Sequence, residues 1–341
     1  MDNILNVENL SLNIKTYLGE VKAIRNVSFN LKKKEILVIV GESGCGKSMT
    51  VKTLMGLQPE NISSLSENSK IDFLGQDLIN ISEKEMQKIR GNRISMIFQD
   101  PSTCLDPTMK IGEQIRESLK IHTDLSKEEI EKEIIKLMSM VKISNPEKRV
   151  NQYPHEFSGG MRQRIMIAIA LACKPDILIA DEPTTALDVT IQADIMDLLK
   201  DLQEELGMSI ILVTHDLGIA AEIGDRIQVM YAGEIIESGT KEEIFTNPRH
   251  PYTRALLKSV PSMDSDKENS LYSLDGTPPN LITISEECAF ANRCDYCMKI
   301  CKKSKTYISE GDNNHFVRCW LSHPMSKDIN TIDRERSMIN G

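Results

Sequence analysis

The chain has 341 residues, of which 40% are hydrophobic and 4% aromatic, and its formal net charge is −9. This acidic balance argues against broad nucleic-acid binding, which depends on a basic surface that displaces counterions from phosphates. The composition is typical of a folded helix-and-sheet protein, and the length suits two domains or one large domain with an extension.

No apolar run approaches the roughly 18 residues of a membrane-spanning helix, and the first residues lack the features of a signal peptide. We therefore expect the protein to remain in the cytoplasm. Eight cysteines in that compartment are not expected to form structural disulfides.

Two segments near the N-terminus, residues 4–14 and 21–31, alternate apolar and polar positions. This alternation predicts half-buried strands in an antiparallel sheet. Tyr17 lies between them, where its ring could stack on a purine base. Packing is the commoner role for a single tyrosine in a strand connection.

The stretch from Gly41 to Ser48, here called the phosphate loop, follows the apolar run 36–40 and precedes a helix-like segment. Its glycines let the backbone turn sharply and direct successive N–H groups inward, which forms a nest for the α- and β-phosphates of a nucleotide. Lys47 would reach the β- and γ-phosphates, and Ser48 would hold Mg²⁺. The candidate nucleotide-binding residues are Gly41, Glu42, Ser43, Gly44, Cys45, Gly46, Lys47, Ser48 and Met49.

The next part of the chain predicts one strand and a set of helices. Residues 59–70 are rich in Ser and Asn and predict a loop, and residues 83–90 predict a helix. A strand at 94–98 ends at Gln99, just before a proline. Amphipathic periodicity over 111–143 predicts a small helical subdomain inserted between strands.

A further helix begins near residue 157, with Ser158 at its N-cap and Gly159 and Gly160 in its first turn. The glycines leave the helix start bare, which suits an approaching phosphate or an ordinary capped helix equally well. A buried strand then ends in Asp181 and Glu182. Carboxylates at that end of a strand face the crevice where ligands bind in open α/β sheets.

Residues 190–259 continue this alternation of helices and strands. A helix over 190–206 precedes a strand at 210–213, which closes near His215. A lone histidine at a strand end is usually an ordinary loop residue. A hairpin around Gly233 and a helix ending near residue 259 follow, and the polar stretch 261–270 predicts a linker.

In this order the motifs resemble those of the ATP-binding subunits of ABC transporters, over residues 4–260. The correspondences are 41–48 with Walker A, Gln99 with the Q-loop, 158–160 with the signature, 177–182 with Walker B, Ala186-Leu187-Asp188 with the D-loop, and His215 with the switch histidine. The resemblance implies an α/β P-loop NTPase cassette with a mainly parallel core sheet, an N-terminal antiparallel β subdomain and a helical signature subdomain at residues 105–175. The cassette would occupy residues 1–260, and a small C-terminal extension with a cysteine cluster would occupy residues 261–341.

The amino-acid sequence is similar to that of the oligopeptide and dipeptide importer branch at residues 41–44, 157–164 and 247–253 and in the cysteine-rich tail. Met161 replaces the glutamine usual after the signature glycines, a departure common in this branch. The resemblance implies a subunit that couples ATP hydrolysis to the import of di- or oligopeptides. Import of nickel or another metal chelate is the alternative, since metal importers share the branch.

The resemblance also implies a role for each site residue. Glu182 would position the attacking water, Lys47 would stabilise the developing charge, and His215 would sense the γ-phosphate. Tyr17 becomes the base-stacking aromatic. The implied Mg²⁺ ligands are Ser48, Gln99 and Asp181.

Families of this kind pair two nucleotide domains head to tail, so that each ATP lies between one chain's Walker A and the other's signature. The residues that would contact the partner's nucleotide are Ser158, Gly159, Gly160 and Asp188. The implied partners are two transmembrane permease subunits, a second and non-identical ABC ATPase and, indirectly, an extracytoplasmic peptide-binding protein. The implied location is the cytoplasmic face of the cell membrane.

Five cysteines lie within the C-terminal extension, and we call them the cysteine set. They are Cys288, Cys294, Cys297, Cys301 and Cys319. Such a group suits Zn²⁺ or an iron–sulfur cluster. Relatives in the importer branch resemble this tail at all but Cys297, which would be spare. The irregular spacing without a histidine favours a [4Fe–4S] cluster over zinc, with a structural or regulatory role.

Two other function classes compete with the importer ATPase. A soluble ABC ATPase of DNA repair or translation usually carries two cassettes or a long coiled-coil insertion, whereas this chain has one Walker A motif and a short helical insertion. A nucleotide-gated regulatory module would have the metal-binding tail as its output. Co-purification with permease subunits separates the importer ATPase from both.

Overall fold

The computed structural model describes residues 2–185, 187–259, 274–310, 315–326 and Ile332. The strands are β1 (Asn3–Thr16), β2 (Gly19–Lys32), β3 (Ile36–Val40), β4 (Ser63–Leu65), β5 (Lys70–Phe73), β6 (Gln76–Asp77), β7 (Ile94–Ile97), β8 (Ile177–Asp181), β9 (Ser209–Thr214), β10 (Arg226–Tyr231), β11 (Glu234–Thr240), β12 (Ile308–Glu310) and β13 (Phe316–Arg318). The helices are α1 (Lys47–Leu54), α2 (Glu83–Ile89), α3 (Pro101–Cys104), α4 (Ile111–His122), α5 (Lys127–Met140), α6 (Pro146–Arg149), α7 (Gly159–Leu171), α8 (Val189–Leu206), α9 (Leu217–Ile223), α10 (Lys241–Thr246) and α11 (Pro251–Ser259). These elements confirm the predicted α/β class.

The N-terminal sheet has the order β2-β1-β5-β6, and β4 also pairs with β1. Strands β1 and β2 pair antiparallel along almost their whole length, as their alternating patterns predicted. The prediction of a loop over 59–70 was wrong at residues 63–65, which pair with residues 12–14 of β1. A Ser-rich segment carries little strand propensity of its own, so its strand state depends on that distant partner.

The central sheet has the order β12-β13-β11-β10-β3-β9-β8-β7. The five strands from β10 to β7 are parallel, and β11, β13 and β12 add antiparallel on one side. Every residue of β3, β8 and β9 is buried, because helices cover one face of the parallel part and the N-terminal sheet with α1 covers the other. The carboxyl ends of these strands therefore meet at one edge, where ligands bind in sheets of this kind.

The helical subdomain lies between β7 and β8 and consists mainly of α4, α5 and α7. Its apolar positions join the larger hydrophobic core, as the helical periodicity predicted. Ser126 caps α5 through a capping box with Glu129. Within the described ranges, no helix is both long and apolar enough to span a membrane.

Part of the C-terminal extension continues the central sheet, which the sequence did not predict. Strand β13 pairs with β11, and the buried carboxylate of Glu237 on β11 joins three segments there. It accepts hydrogen bonds from the Arg249 N–H (2.6 Å), the His250 N–H (2.9 Å) and the His315 ring (Nε2 at 2.8 Å). The proposed linker at 261–270 lies outside the described residues, and the domain boundary at residue 260 stays a prediction.

Acid should destabilise the fold through His250. The side chain is buried, its Nδ1 accepts the Tyr252 N–H at 3.0 Å, and burial lowers its pKa from 6.5 to about 4. Between pH 4 and pH 6.5, His250 is protonated in the unfolded chain but neutral in the folded protein. The stabilisation that comes from keeping His250 neutral is therefore complete above pH 6.5 and is lost as the pH falls toward 4.

We expect His250→Asn to flatten the acid limb of the stability curve, by up to about 1.4 kcal/mol per pH unit. The measurement is denaturant-induced unfolding at several pH values, with the exposed His155→Asn as control. An unchanged slope in the His250 variant would contradict this account.

Candidate functional site

The phosphate loop connects β3 to α1 at the carboxyl edge of the central sheet. Close backbone contacts exclude side chains at two of its glycines. A Cβ at Gly41 would collide with the Met230 carbonyl oxygen, and one at Gly46 would lie 2.6 Å from the Ala23 oxygen. Gly46 also has a φ of 107°, which L side chains rarely adopt. The loop is thus fixed by its neighbours before any ligand is considered.

Lys47 lies inside this loop with a side chain that is only 3% exposed. Its Nζ donates to the carbonyl oxygens of Gly41 (2.8 Å) and Glu42 (3.1 Å). The same nitrogen is 3.7 Å from Glu182 Oε1. The cation is therefore aimed at the space between the loop and the end of β8.

Ser48 and Asp181 form the second polar contact of the site. Ser48 Oγ donates to Asp181 Oδ1 at 2.7 Å, and burial raises the pKa of the Asp181 carboxyl although this hydrogen bond opposes the shift. A hydroxyl and a carboxylate oxygen side by side are the hard ligands that Mg²⁺ prefers. The Gln99 amide nitrogen donates to Glu182 (3.1 Å), and its expected role as a third Mg²⁺ ligand stays a prediction.

Glu182 brings four separate motifs together. Its carboxylate lies near Lys47, accepts the Gln99 amide (3.1 Å) and the Thr185 hydroxyl (2.9 Å), and is 3.5 Å from His215 Nδ1. The residue has a φ of 47°, a conformation that a non-glycine residue adopts at a cost and that is often retained at functional sites. Thr185 was not predicted as part of the site.

A cavity of about 370 Å³ opens beside these groups. Its lining residues are Val21, Ala23, Ser43, Gly44, Gly46, Lys47, Ser48, Met49, Gln99, Glu182 and Leu281. Of the predicted loop residues, Gly41 and Glu42 are not in that lining, and Cys45 packs into the core behind the loop.

Tyr17 is not part of this cavity lining. It lies in the turn between β1 and β2 with 95% of its surface exposed. Its expected role in stacking on the base stays a prediction, since an exposed ring is accessible to a nucleotide. The apolar lining comes from Val21 and Ala23 of β2, from Met49 of α1 and from Leu281 of the C-terminal extension.

The signature residues lie apart from this cavity. Ser158 is the N-cap residue of α7, but its side chain makes no capping hydrogen bond. Ser158, Gly159 and Gly160 are absent from the described cavity lining, as is Asp188 at the start of α8. Ala186 of the D-loop lies outside the described residues.

Behind the phosphate loop, Glu42 has partners that the sequence did not indicate. Arg293 of the C-terminal extension binds its carboxylate with both terminal nitrogens, at 2.7 and 2.9 Å. The Glu42 N–H donates to the Tyr252 hydroxyl at 2.9 Å. Tyr252 packs in turn against Tyr231, with ring centroids 4.6 Å apart.

The cysteine set lies in one neighbourhood as free thiols. The Cys288 N–H donates to the Cys301 oxygen, and the Cys297 N–H donates to the Cys294 oxygen, both at 3.1 Å. Burial raises the pKa of Cys288 to about 11 and of Cys294 to about 12, and that of Cys319 also rises by burial and by nearby thiols. No group of three or more His, Cys, Asp and Glu residues in the described ranges is placed to hold a metal ion, so this geometry does not support the cluster.

The chain matches known protein families in sequence and known structures in fold. A family model described as ABC transporter matches residues 24–185, and one described as oligopeptide/dipeptide transporter, C-terminal region, matches residues 236–301. Among solved structures, the dimeric post-hydrolysis state of the ATP-binding cassette MJ0796 bound to ADP and Pi is similar with a TM-score of 0.62 and 30% identity. The structural match covers 70% of this chain and 98% of the MJ0796 chain.

Curated relatives are similar over nearly the whole chain. The oligopeptide transport ATP-binding protein OppD of Bacillus subtilis is 53% identical over 94% of this chain and 89% of its own length. The dipeptide transport ATP-binding protein DppD of the same organism is 50% identical, over 94% and 95% respectively. The chain therefore belongs to the ABC transporter family, among the ATP-binding proteins of oligopeptide and dipeptide transport.

Proposed function

We propose that this chain is the energy-coupling ATPase of a membrane importer for di- or oligopeptides. The observation that carries the proposal is the convergence of Lys47, Gln99 and His215 on the carboxylate of Glu182, which lines a cavity beside the phosphate loop. The relatives named for oligopeptide and dipeptide transport favour peptides over metal chelates as cargo.

The residues of the site divide the work of hydrolysis between them. Backbone N–H groups of the phosphate loop and the Lys47 amine bind the phosphates, where charge develops in the transition state. Glu182 orients a water molecule and accepts its proton as the oxygen attacks the γ-phosphorus. The bond from that phosphorus to the β–γ bridging oxygen breaks, and ADP and phosphate leave. His215, whose Nδ1 is 3.5 Å from Glu182 Oε2, would hold this carboxylate in position and sense the γ-phosphate.

Ser48 and Asp181 are the residues that would hold Mg²⁺, because their oxygens lie 2.7 Å apart beside Lys47 and the cavity. The ion, when bound, neutralises charge on the β- and γ-phosphate oxygens. Gln99 joins the two halves of the site through its hydrogen bond to Glu182.

The site is completed by a partner chain. Ser158, Gly159, Gly160 and Asp188 do not line the described cavity of their own chain, which is expected if they serve a nucleotide on the facing subunit. Closure of two such chains would drive two permease subunits between access states. We infer that the partner is a second, non-identical ATPase, that a binding protein delivers the peptide, and that the chain acts at the cytoplasmic face of the membrane.

The cysteine set has the right donor chemistry for a metal centre, although the thiols would have to draw together to bind one. We propose a [4Fe–4S] cluster on Cys288, Cys294, Cys301 and Cys319, with Cys297 spare and Zn²⁺ as the alternative. Its role would be structural or regulatory, apart from the transport chemistry.

Glu182→Gln should preserve ATP binding and lower turnover at least about 100-fold, because the amide cannot accept the proton of the attacking water. The measurement is phosphate release by the complete transporter, alongside ATP titration. Glu205→Gln, on an exposed position of α8, is the matched control. Near-normal turnover in the Glu182 variant would contradict the assignment.

Lys47→Ala should instead weaken ATP binding, by about 10-fold or more, since a charged donor to the phosphates is lost. Titration of the full chain with ATP and Mg²⁺ measures this effect. The exposed Lys33→Ala serves as control. Equal affinities in all three proteins would refute the phosphate-binding role.

Anaerobically purified protein should contain iron and sulfide and absorb visible light, and Cys294→Ser should lose these while Cys297→Ser retains them. Elemental analysis and absorption spectra provide the readout. Zinc without iron would replace the cluster by the alternative. Absence of both metals would refute a metal centre.

A further inference from the structure

The C-terminal extension reaches the nucleotide cavity of its own chain. Leu281 lines that cavity, and its backbone oxygen accepts the Lys22 N–H at 3.0 Å. The Lys22 amine donates to the Ile284 oxygen (3.0 Å), and Arg25 Nη2 donates to the Ser285 oxygen (2.7 Å). This part of the extension is therefore tied to β2, the strand that supplies the other apolar lining.

The cavity lining has an apolar part and a polar part. Val21, Ala23 and Leu281 present hydrocarbon, whereas Lys47 and Ser48 present groups for phosphates. A purine nucleotide has the same division, with an apolar base and a charged triphosphate. Leu281 belongs to the apolar part of this lining, so it is available to contact the nucleoside part.

Arg293 binds the phosphate loop through Glu42, a loop residue outside the cavity lining. Its side chain is only 5% exposed, and its two terminal nitrogens bind the Glu42 carboxylate at 2.7 and 2.9 Å. Nε donates to the Asp275 oxygen (3.0 Å), and Nη1 is 3.3 Å from the Tyr231 hydroxyl. A bidentate pair held on several sides is geometrically specific, unlike an isolated surface ion pair.

Glu42 is also a direct neighbour of the catalytic lysine. Its carbonyl oxygen accepts the Lys47 amine at 3.1 Å, while its side chain is fixed by Arg293. One residue thus connects the extension to the cation that binds the phosphates. A change at Arg293 is expected to alter the conformation of the loop rather than only the docking of the tail.

We propose that the C-terminal extension completes the nucleotide site in cis, with Arg293 as a positioning residue for the phosphate loop and Leu281 as a contact for the nucleoside of ATP. The proposal rests on the ATP site proposed above. It makes the extension a determinant of nucleotide affinity rather than an appendage.

The test is calorimetric titration of the full chain with ATP and, separately, with inorganic tripolyphosphate. Arg293→Met should weaken binding of both by about tenfold, because it acts through the phosphate loop. Leu281→Ala should weaken ATP binding by about fivefold and leave tripolyphosphate binding unchanged, because it removes only apolar contact. Lys305→Met and Ile308→Ala, both on exposed positions of the extension, are the matched controls.

Two further variants separate positioning from folding. Glu42→Gln combined with Arg293→Met should cost little more than either change alone, because the two residues act as one pair. Arg293→Lys keeps the charge without the bidentate fork, so it should give an intermediate affinity even if the methionine variant fails to fold.

The outcomes distinguish the two levels of the proposal. Suppose that Lys47→Ala loses ATP binding while the Arg293 and Leu281 variants bind ATP and tripolyphosphate with wild-type affinity. That result would overturn the role of the extension and leave the ATP site intact. Failure of the unmodified chain to bind ATP more tightly than Lys47→Ala would overturn the ATP site and this inference with it.

Discussion

The contact between a buried lysine and a carboxylate at the end of a strand organises the whole structure. Lys47 reaches Glu182 only because β3 and β8 end at the same edge of the sheet, on either side of β9. The glycines of the phosphate loop allow the close backbone approach that this geometry requires. The side chains of Gln99, which follows β7, and His215, which follows β9, lie against the same carboxylate. The order of strands in the central sheet therefore brings the catalytic side chains together.

Much of this arrangement could be predicted from the sequence because its signals are local. Buried strands, the phosphate loop and amphipathic helices each carry their own pattern of apolar residues and glycines. The pairing of residues 63–65 depends on a neighbouring strand that no local pattern specifies. The same holds for Arg293, whose partner Glu42 is 251 positions away, and for Leu281 in the cavity.

The C-terminal extension is more closely integrated with the cassette than its cysteine-rich composition suggested. Its β13 joins the central sheet, and buried Glu237 connects His315, just before that strand, to Arg249 and His250, just before α11. Arg293 and Leu281 extend the same integration to the nucleotide site. These links give a physical reason why changes in the tail would be felt by the ATPase.

The central claim is that hydrolysis at this site moves peptides across a membrane that the described helices do not span. The most direct measurement is uptake of a labelled dipeptide or oligopeptide by vesicles containing the complete transporter, with ATP supplied on the side of this chain. The account predicts accumulation that requires hydrolysable ATP and stops with a non-hydrolysable analogue. Hydrolysis without accumulation of any peptide, or accumulation supported equally by the analogue, would contradict it.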